Sequence, residues 1–254
     1  YNRGMSDLIQ LILLCLTGGV VSLLGAFLII NLKNKVEYIS NKLTSFAAGV
    51  LLTVGVLDLL PEAIEQIGDT KNLAWAVLLG ILFVFLLEKT GLWFHHHDGT
   101  HGKHPPVVGI FVGDMLHNMI DGMAIGASFM IGTKMGIVTT MAVAFHELPK
   151  EMADFMIYTR SGLSDMKTIL MNLASSLMAV VGGLLVYSIQ SEKVLNQGYL
   201  LGLTAGMFLF VALADLVPEM HEEMEKSQGK WKWSWLLIFG LGLTVGIVGQ
   251  MLEV

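Results

Sequence analysis

Residues 49–65 have the sequence GVLLTVGVLDLLPEAIE, and residues 206–222 have the sequence GMFLFVALADLVPEMHE. The Gly, Asp and Pro positions and both Glu positions recur at one fixed offset. Each stretch is apolar over most of its length and carries one acidic residue, Asp58 or Asp215, shortly before its proline. Two copies of one hydrophobic pattern in a single chain are typical of an internally repeated membrane fold.

The composition indicates that lipid is the solvent of this protein. Of the 254 residues, 54% are hydrophobic and 14% are charged, whereas about 25% are charged in ordinary soluble domains. The net charge of −6 provides no general basic surface, so we expect no nucleic-acid partner. The single Cys15 excludes an internal disulfide and a cysteine-based metal cluster. The chain begins at Tyr1, which we interpret as removal of a tag or of a larger N-terminal portion.

Eight hydrophobic runs are long enough to cross a bilayer, which requires roughly 20 residues per helix. We predict spans at 8–30, 43–62, 72–93, 106–131, 135–158, 168–189, 196–218 and 233–252. The runs lack period-2 alternation and are too long for the strands of a membrane barrel. The fold class we predict is therefore all-α, a polytopic membrane protein with one transmembrane domain over residues 1–254.

The repeat and the basic residues predict how the spans are arranged. The seventh span follows the second by an odd number of crossings, so the two similar stretches traverse the membrane in opposite directions. We predict an inverted repeat, helices 1–3 and 6–8, around helices 4 and 5. Placing the first connection in the cytoplasm puts ten Lys and Arg residues on that side and four on the other. The positive-inside rule then places both termini outside.

Ionisable residues are concentrated in the fourth and fifth spans. The fourth contains DMLHNMIDGMAIGASF at 114–129, and the fifth contains HELPKEMADF at 146–155. At helical spacing, His117 and Asp121 share a face, and Asp114 lies one turn earlier. A charge at the bilayer centre costs from a few to about ten kcal/mol unless it is paired, solvated or bound to a metal. Imidazole and carboxylate ligands suit zinc, iron(II) or manganese. The alternative is a polar network that only joins the helices.

Polar groups outside this pair of spans could concentrate or guide cations. The second span carries Asp58 and ends in an outer acidic mouth that contains Glu62 and Glu65. The seventh span ends in an inner one that contains Glu219, His221 and Glu222. The cytoplasmic loop at 94–105 carries His95, His96, His97, His101 and His104. Without a packed scaffold, this loop is expected to bind zinc weakly, and the alternative is an unstructured polar linker.

The two ionisable segments resemble a known family. HNMIDGMAIGASF at 117–129 resembles the HNxxDGxAIG pattern in the fourth helix of ZIP (Zrt/Irt-like protein) metal transporters. HELPKEMADF at 146–155 resembles the HExPxExxDF pattern of their fifth helix. The similarity covers essentially the whole membrane core, including the repeated ends of the second and seventh spans. It implies metal influx into the cytoplasm by alternating access, in which helices 1, 4, 5 and 6 move against helices 2, 3, 7 and 8.

The resemblance also implies a ligand set. His117 and Asp121 would be principal ligands from helix 4, with Asn118 beside them, and His146 and Glu147 would be ligands from helix 5. We add Glu151 to the candidate metal ligands. Asp58 stands where many animal-type relatives carry His, which leaves the contribution of helix 2 open.

One position departs from the family. After the helix-5 proline, many relatives carry His or Glu, which can bridge two metals, whereas this chain has Lys150. A protonated ammonium cannot coordinate a metal. We hypothesise that Lys150 takes the place of a second metal, neutralising Glu147 or Asp154 and leaving a mononuclear site. The alternative is a simple ion pair between Lys150 and Asp154 at i, i+4.

The sequence therefore predicts a transporter of a divalent metal ion that is not an enzyme. His146, where manganese- and iron-carrying relatives can have Glu, favours zinc as the cargo over iron, manganese or cadmium. The rival functions are an intramembrane zinc protease and a metal sensor. Lys150 occupies the second His position of the protease motif HExxH, which weakens the first rival. We expect a location in the cell membrane, plasma or bacterial inner, with lipid contacts. A homodimer is one assembly that the family implies.

Overall fold

The chain is described here from a computed structural model that covers residues 5–20, 36–96, 107–191, 196–227 and 232–251. Within these ranges the chain forms eight continuous helical stretches and no strand. Five described stretches, Tyr38–Ile67, Thr70–Leu87, Asp165–Ile189, Gln197–Lys226 and Trp233–Met251, are long and apolar enough to cross a membrane. The prediction of an all-α polytopic membrane bundle is confirmed.

The helices are numbered α1 to α8 in chain order. Helix α1 is Met5–Val20, α3 is Thr70–His96, α4 is Val107–Ile131, α5 is Thr133–Arg160 and α8 is Lys232–Met251. Helix α2 consists of Val36–Thr53, Val54–Leu59 and Leu60–Ile67. Helix α6 consists of Asp165–Ser176 and Met178–Ser191, and α7 of Gln197–Phe210, Val211–Leu216 and Val217–Lys226.

Local sequence explains where several helices begin and end. Helix α2 ends at Gly68, whose φ of 72° is a left-handed conformation that favours glycine. Ser164 and Asn196 cap α6 and α7, since their side-chain oxygens accept hydrogen bonds from backbone N–H groups of the first helical turn. Residues 68–69 alone join α2 to α3, and residues 161–164 join α5 to α6.

The repeat found in the sequence has a structural counterpart in α2 and α7. Each helix widens into a six-residue π-helical segment, Val54–Leu59 in α2 and Val211–Leu216 in α7. Each segment contains the repeated aspartate and lies just before the repeated proline. Proline lacks the N–H that would continue the α-helical bonding pattern. In α2 the Leu57 carbonyl accepts a hydrogen bond from Gln250 Nε2 of α8 instead, at 3.0 Å.

The same symmetry appears in how these helices pack. Helix α2 packs extensively against α8, and α7 against α3, and α2 and α7 also pack extensively on each other. The α2–α8 and α7–α3 pairs are held by close backbone approaches at glycines. Across the α2–α8 contact, a Cβ atom at Gly49 would collide with the Phe239 carbonyl, and one at Gly242 with the Phe46 carbonyl. Across the α7–α3 contact, a Cβ atom at Gly206 would collide with the Val77 carbonyl, and one at Gly80 with the Leu203 carbonyl.

The eight helices form two groups of four. Helices α2, α3, α7 and α8 make one group through the pairs just described. Helices α1, α4, α5 and α6 make the other, in which α4 packs closely on α6 and α1 on both α5 and α6. Contacts between the groups include the edge-to-face rings of Phe46 and Phe145, with centroids 4.9 Å apart. The face of α4 and α5 that meets the first group carries the ionisable residues.

Candidate metal centre

Four polar side chains of α4 and α5 meet in the middle of the bundle. His117 and Asp121 are one helical turn apart on α4, and His146 and Glu147 are adjacent on α5. One ligand atom from each lies within 4.8 Å of all the others. Asp121, His146 and Glu147 are buried, and the His117 side chain is 25% exposed. We call these four residues the quartet.

The distances within the quartet are those of groups that can surround one ion. His117 Nε2 lies 3.2 Å from Glu147 Oε1, 3.6 Å from Asp121 Oδ2 and 3.3 Å from His146 Nε2. His146 Nε2 lies 3.2 Å from Asp121 Oδ2. Two imidazole nitrogens and two carboxylate oxygens make a four-ligand set suited to zinc. A tetrahedral zinc site with bonds of about 2.1 Å has its ligand atoms roughly 3.4 Å apart, which is close to the spacing of these atoms.

A backbone carbonyl orients the imidazole of His146. His146 Nδ1 lies 3.2 Å from the carbonyl oxygen of Ala142, one turn earlier on α5. When Nδ1 carries the hydrogen and donates to this carbonyl, the lone pair of Nε2 faces Asp121 and His117. Metal-binding histidines usually have their second nitrogen held in this way.

A second polar cluster adjoins the quartet on the side of the α4 N-terminus. It consists of Asp114, Glu147 and Glu151, which offer carboxylate oxygens within 4.8 Å of one another. Lys150 Nζ lies 2.6 Å from Asp114 Oδ1 and 3.1 Å from Glu147 Oε1. Among the described residues these are the ion pairs of Lys150 within 4 Å, so the ammonium pairs with α4 rather than with Asp154 of its own helix.

Asn118 contacts Asp114 of this second cluster. Its Nδ2 donates to both the backbone carbonyl and the Oδ1 carboxylate oxygen of Asp114, at 3.1 Å each. Its Oδ1 is buried and has no hydrogen-bond partner in the described part of the chain. Asn118 therefore holds Asp114 in place and keeps one oxygen available to another ligand.

Helix α6 supports the second cluster from behind. Ser176 Oγ donates to Glu151 Oε1 at 3.4 Å, and Asn172 Nδ2 donates to the Glu151 backbone carbonyl at 3.3 Å. Both α6 residues are buried. Sequence reasoning did not select them, although Asn and Ser within an apolar span are themselves a signal of a polar contact.

The other helix group covers the quartet with apolar side chains. A pocket beside His117, Asp121 and His146 is lined on its far wall by Leu51 of α2, Val84 of α3, and Met207, Phe208 and Val211 of α7. The His146 ring meets that of Phe208 edge to face, with centroids 6.4 Å apart. Sequence reasoning missed this wall, because apolar residues that face the site are indistinguishable by type from those that face lipid.

The remaining candidates lie apart from the quartet. Asp58 is buried in the π-helical segment of α2, and Asp154 is partly buried on α5. Glu62 is partly buried and Glu65 exposed near the end of α2, and Glu219, His221 and Glu222 are exposed on α7. His95 and His96 end α3, but their side chains, like His97, His101 and His104, lie outside the described residues.

Comparison with known proteins identifies relatives of this architecture. The family model described as ZIP Zinc transporter matches residues 7–109 and 105–248. Human Zinc transporter ZIP10 is 36% identical over 177 residues, which is 63% of this chain and 21% of that protein. Mouse Zinc transporter ZIP4 is 38% identical over 148 residues, 57% of this chain and 22% of that protein.

A relative whose name is not restricted to zinc is also similar. Human Metal cation symporter ZIP14 is 36% identical over 138 residues, 54% of this chain and 28% of that protein. The chain spans about a fifth of the length of the first of these relatives.

Proposed function

The chain belongs to the ZIP zinc transporter family, and from that premise we propose that it carries a divalent transition-metal ion, with zinc preferred, across a membrane. The observation that supports this proposal is the quartet, in which His117, Asp121, His146 and Glu147 converge inside a bundle of membrane helices. Ionisable groups at such depth are costly unless something compensates them, and a bound cation compensates both carboxylates at once.

The cargo follows from the ligand chemistry. Imidazole nitrogen and carboxylate oxygen suit zinc, and also suit iron(II), manganese and cadmium to different degrees. The quartet offers two of each type, and both types bind zinc. The relatives named zinc transporters support the same assignment, and the one named a metal cation symporter supports a wider range of cargo.

The path of the ion is proposed to be inward, by alternating access. The quartet lies on the group α1, α4, α5 and α6 and faces the group α2, α3, α7 and α8, so a relative movement of the two groups would expose it to one side at a time. Both termini are then outside. The exposed acidic residues near the ends of α2 and α7, and the histidine loop, would raise the local metal concentration.

Lys150 is proposed to make the site mononuclear. Its ammonium lies between Asp114 and Glu147, two members of a carboxylate cluster that could otherwise hold a second cation. The same residue argues against a protease of the HExxH type, because that chemistry needs a second histidine where Lys150 stands. A metal sensor would bind the ion without moving it, so only a measurement of transport separates this alternative from a transporter.

Zinc uptake into proteoliposomes tests the proposed function. Asp121→Ala removes a quartet carboxylate and is expected to abolish uptake, whereas Asp165→Ala, at an exposed carboxylate in the first turn of α6, is expected to preserve it. His117→Ala should behave like Asp121→Ala. Normal uptake by both quartet variants would refute the site, and no uptake by the parent protein under any zinc gradient would refute transport.

A further inference from the structure

The quartet and the second cluster share one residue, Glu147, and its Oε1 atom contacts both His117 of the quartet and Lys150. This oxygen lies 3.2 Å from His117 Nε2, on the side of the proposed metal, and 3.1 Å from Lys150 Nζ. It can therefore act as a metal ligand or as the partner of the ammonium. An ammonium that depended on Glu147 alone would compete with the metal for it.

Asp114 gives Lys150 a second and closer partner. Its Oδ1 lies 2.6 Å from Lys150 Nζ, which is shorter than the distance from the ammonium to Glu147. Asp114 is buried, and Asn118 Nδ2 donates to the same Oδ1 from the next turn of α4. The carboxylate is thus fixed by its own helix and directed at an ammonium on the neighbouring one.

The charges of these groups balance in two sets when Asp114 is included, and the buried Glu151, whose Oε1 accepts a hydrogen bond from Ser176 Oγ, belongs to neither set. The carboxylates of Asp121 and Glu147 carry two negative charges, which match one divalent cation between neutral imidazoles. The carboxylate of Asp114 matches the single positive charge of Lys150. Without Asp114, Lys150 would cancel one charge of the quartet, and a divalent ion would face a site with a deficit of one negative charge.

We propose that Asp114 is a positioning residue of the metal site, which holds the Lys150 ammonium and so reserves Glu147 for the metal. This inference rests on the proposed function, because it concerns the affinity of the same quartet. The Oδ1 atom of Asp114 is engaged by Lys150 and Asn118, and the proposal assigns this carboxylate to the ammonium and not to the transported ion. The ammonium stays in place when the metal arrives and leaves.

Zinc affinity of the purified full chain, measured by competition with a chelating dye, tests the inference. Asp114→Asn leaves the quartet intact but removes the charge that holds Lys150, and should weaken zinc binding by about 10- to 100-fold. Replacing Lys150 as well, in the Asp114→Asn/Lys150→Met double variant, removes the competitor. It should restore affinity to within about threefold of the parent protein, a rescue that a merely structural role of Asp114 would not give.

Two results would overturn the inference. One is an Asp114→Asn variant that binds zinc as tightly as the parent protein. The other is a double variant that binds at least tenfold more weakly than the parent, since Asp114 would then act independently of Lys150. Should Asp114→Asn fail to fold, the double variant, which removes both charges together, decides by its own affinity. A parent protein that binds no zinc, or that binds it equally well after His117→Ala, would instead refute the proposed function.

Discussion

Glu147 is the residue through which the charges of the centre are coupled. It is fully buried, and its Oε1 atom is within 4 Å of both imidazoles and of Lys150 Nζ. Its other oxygen, Oε2, has no hydrogen-bond partner among the described residues. A buried carboxylate oxygen without a partner costs free energy unless an ion or water meets it, so a cation bound at this side chain would relieve that cost.

The stoichiometry of metal binding depends on Lys150. Lys150→Glu replaces the ammonium with a further carboxylate beside Asp114 and Glu147, so we expect the number of zinc ions bound per chain to rise from one to two. Lys150→Arg keeps the positive charge and should keep one. Elemental analysis of purified protein after dialysis against excess zinc measures both. Equal stoichiometry in the parent and the Lys150→Glu variant would show that the ammonium does not stand in for a metal.

At the scale of helices, glycine decides how closely neighbours approach. On α8, Gly242 lies against the Phe46 carbonyl of α2, where a Cβ atom would collide with backbone, whereas no described neighbour outside its own helix backbone lies within 4 Å of the Cβ position of Gly240. The two positions lie less than one turn apart, and replacing glycine by alanine changes the intrinsic helix propensity equally at both. They therefore separate the cost of lost packing from the general effect of replacing a glycine.

Gly242→Ala is expected to lower the stability of the protein, because α2 and α8 must move apart to admit the methyl group. A loss of about 1–3 kcal/mol is typical of overpacking. Gly240→Ala should be neutral, or stabilising by up to about 1 kcal/mol, because alanine favours a helix. Apparent melting temperatures in detergent measure both variants. A Gly242→Ala protein as stable as the Gly240→Ala protein would contradict the close α2–α8 packing.

The π-helical segments of α2 and α7 are the second feature at this scale. Both occur at the repeated Asp-x-x-Pro pattern, and in each the first N–H after the segment bonds to a carbonyl five residues earlier, Leu60 to Gly55 and Val217 to Ala212. Such segments widen a helix locally and are frequent at functional sites. They bring Asp58 and Asp215 to equivalent positions of the two repeats.

At the scale of the whole molecule, the contacts within each group of helices differ in kind from the contacts between the two groups. Many of the described glycines have a Cβ position within 3.4 Å of a neighbouring helix, and in each case that helix belongs to the same group. Between the groups the contacts include side-chain packing such as Phe46 on Phe145 and the Ser40 Oγ hydrogen bond to the Pro149 carbonyl at 3.0 Å. We expect any movement during transport to occur at that boundary, because the closest backbone packing at glycines lies within the groups.

Crosslinking tests whether transport requires this movement. A Phe46→Cys/Phe145→Cys pair joins α2 to α5 across the boundary, and a short thiol-specific crosslinker should abolish zinc uptake. A Phe85→Cys/Phe210→Cys pair joins α3 to α7 within one group, where the ring centroids are 6.3 Å apart, and uptake should survive. The native Cys15 is buried and can be replaced by serine beforehand. Full uptake after complete α2–α5 crosslinking would refute movement between the groups.

The sequence by itself determined the helical class, the repeat of α2 and α7, and the types of ligand. These features depend on local periodicity and composition: His117 and Asp121 share a face because they are one turn apart on the same helix. The membrane required the ionisable groups of α4 and α5 to have partners, which is why a few residues of these two helices were enough to predict the site.

The tertiary structure decided which groups actually meet. Lys150 could have paired with Asp154 on its own helix, but it pairs with Asp114 because the packing of α4 against α5 brings that carboxylate to 2.6 Å. The packing of α7 against this face supplies the apolar wall of Met207 and Phe208. Distances between helices depend on how all the side chains at a contact fit together, and no pattern along a single helix contains that information.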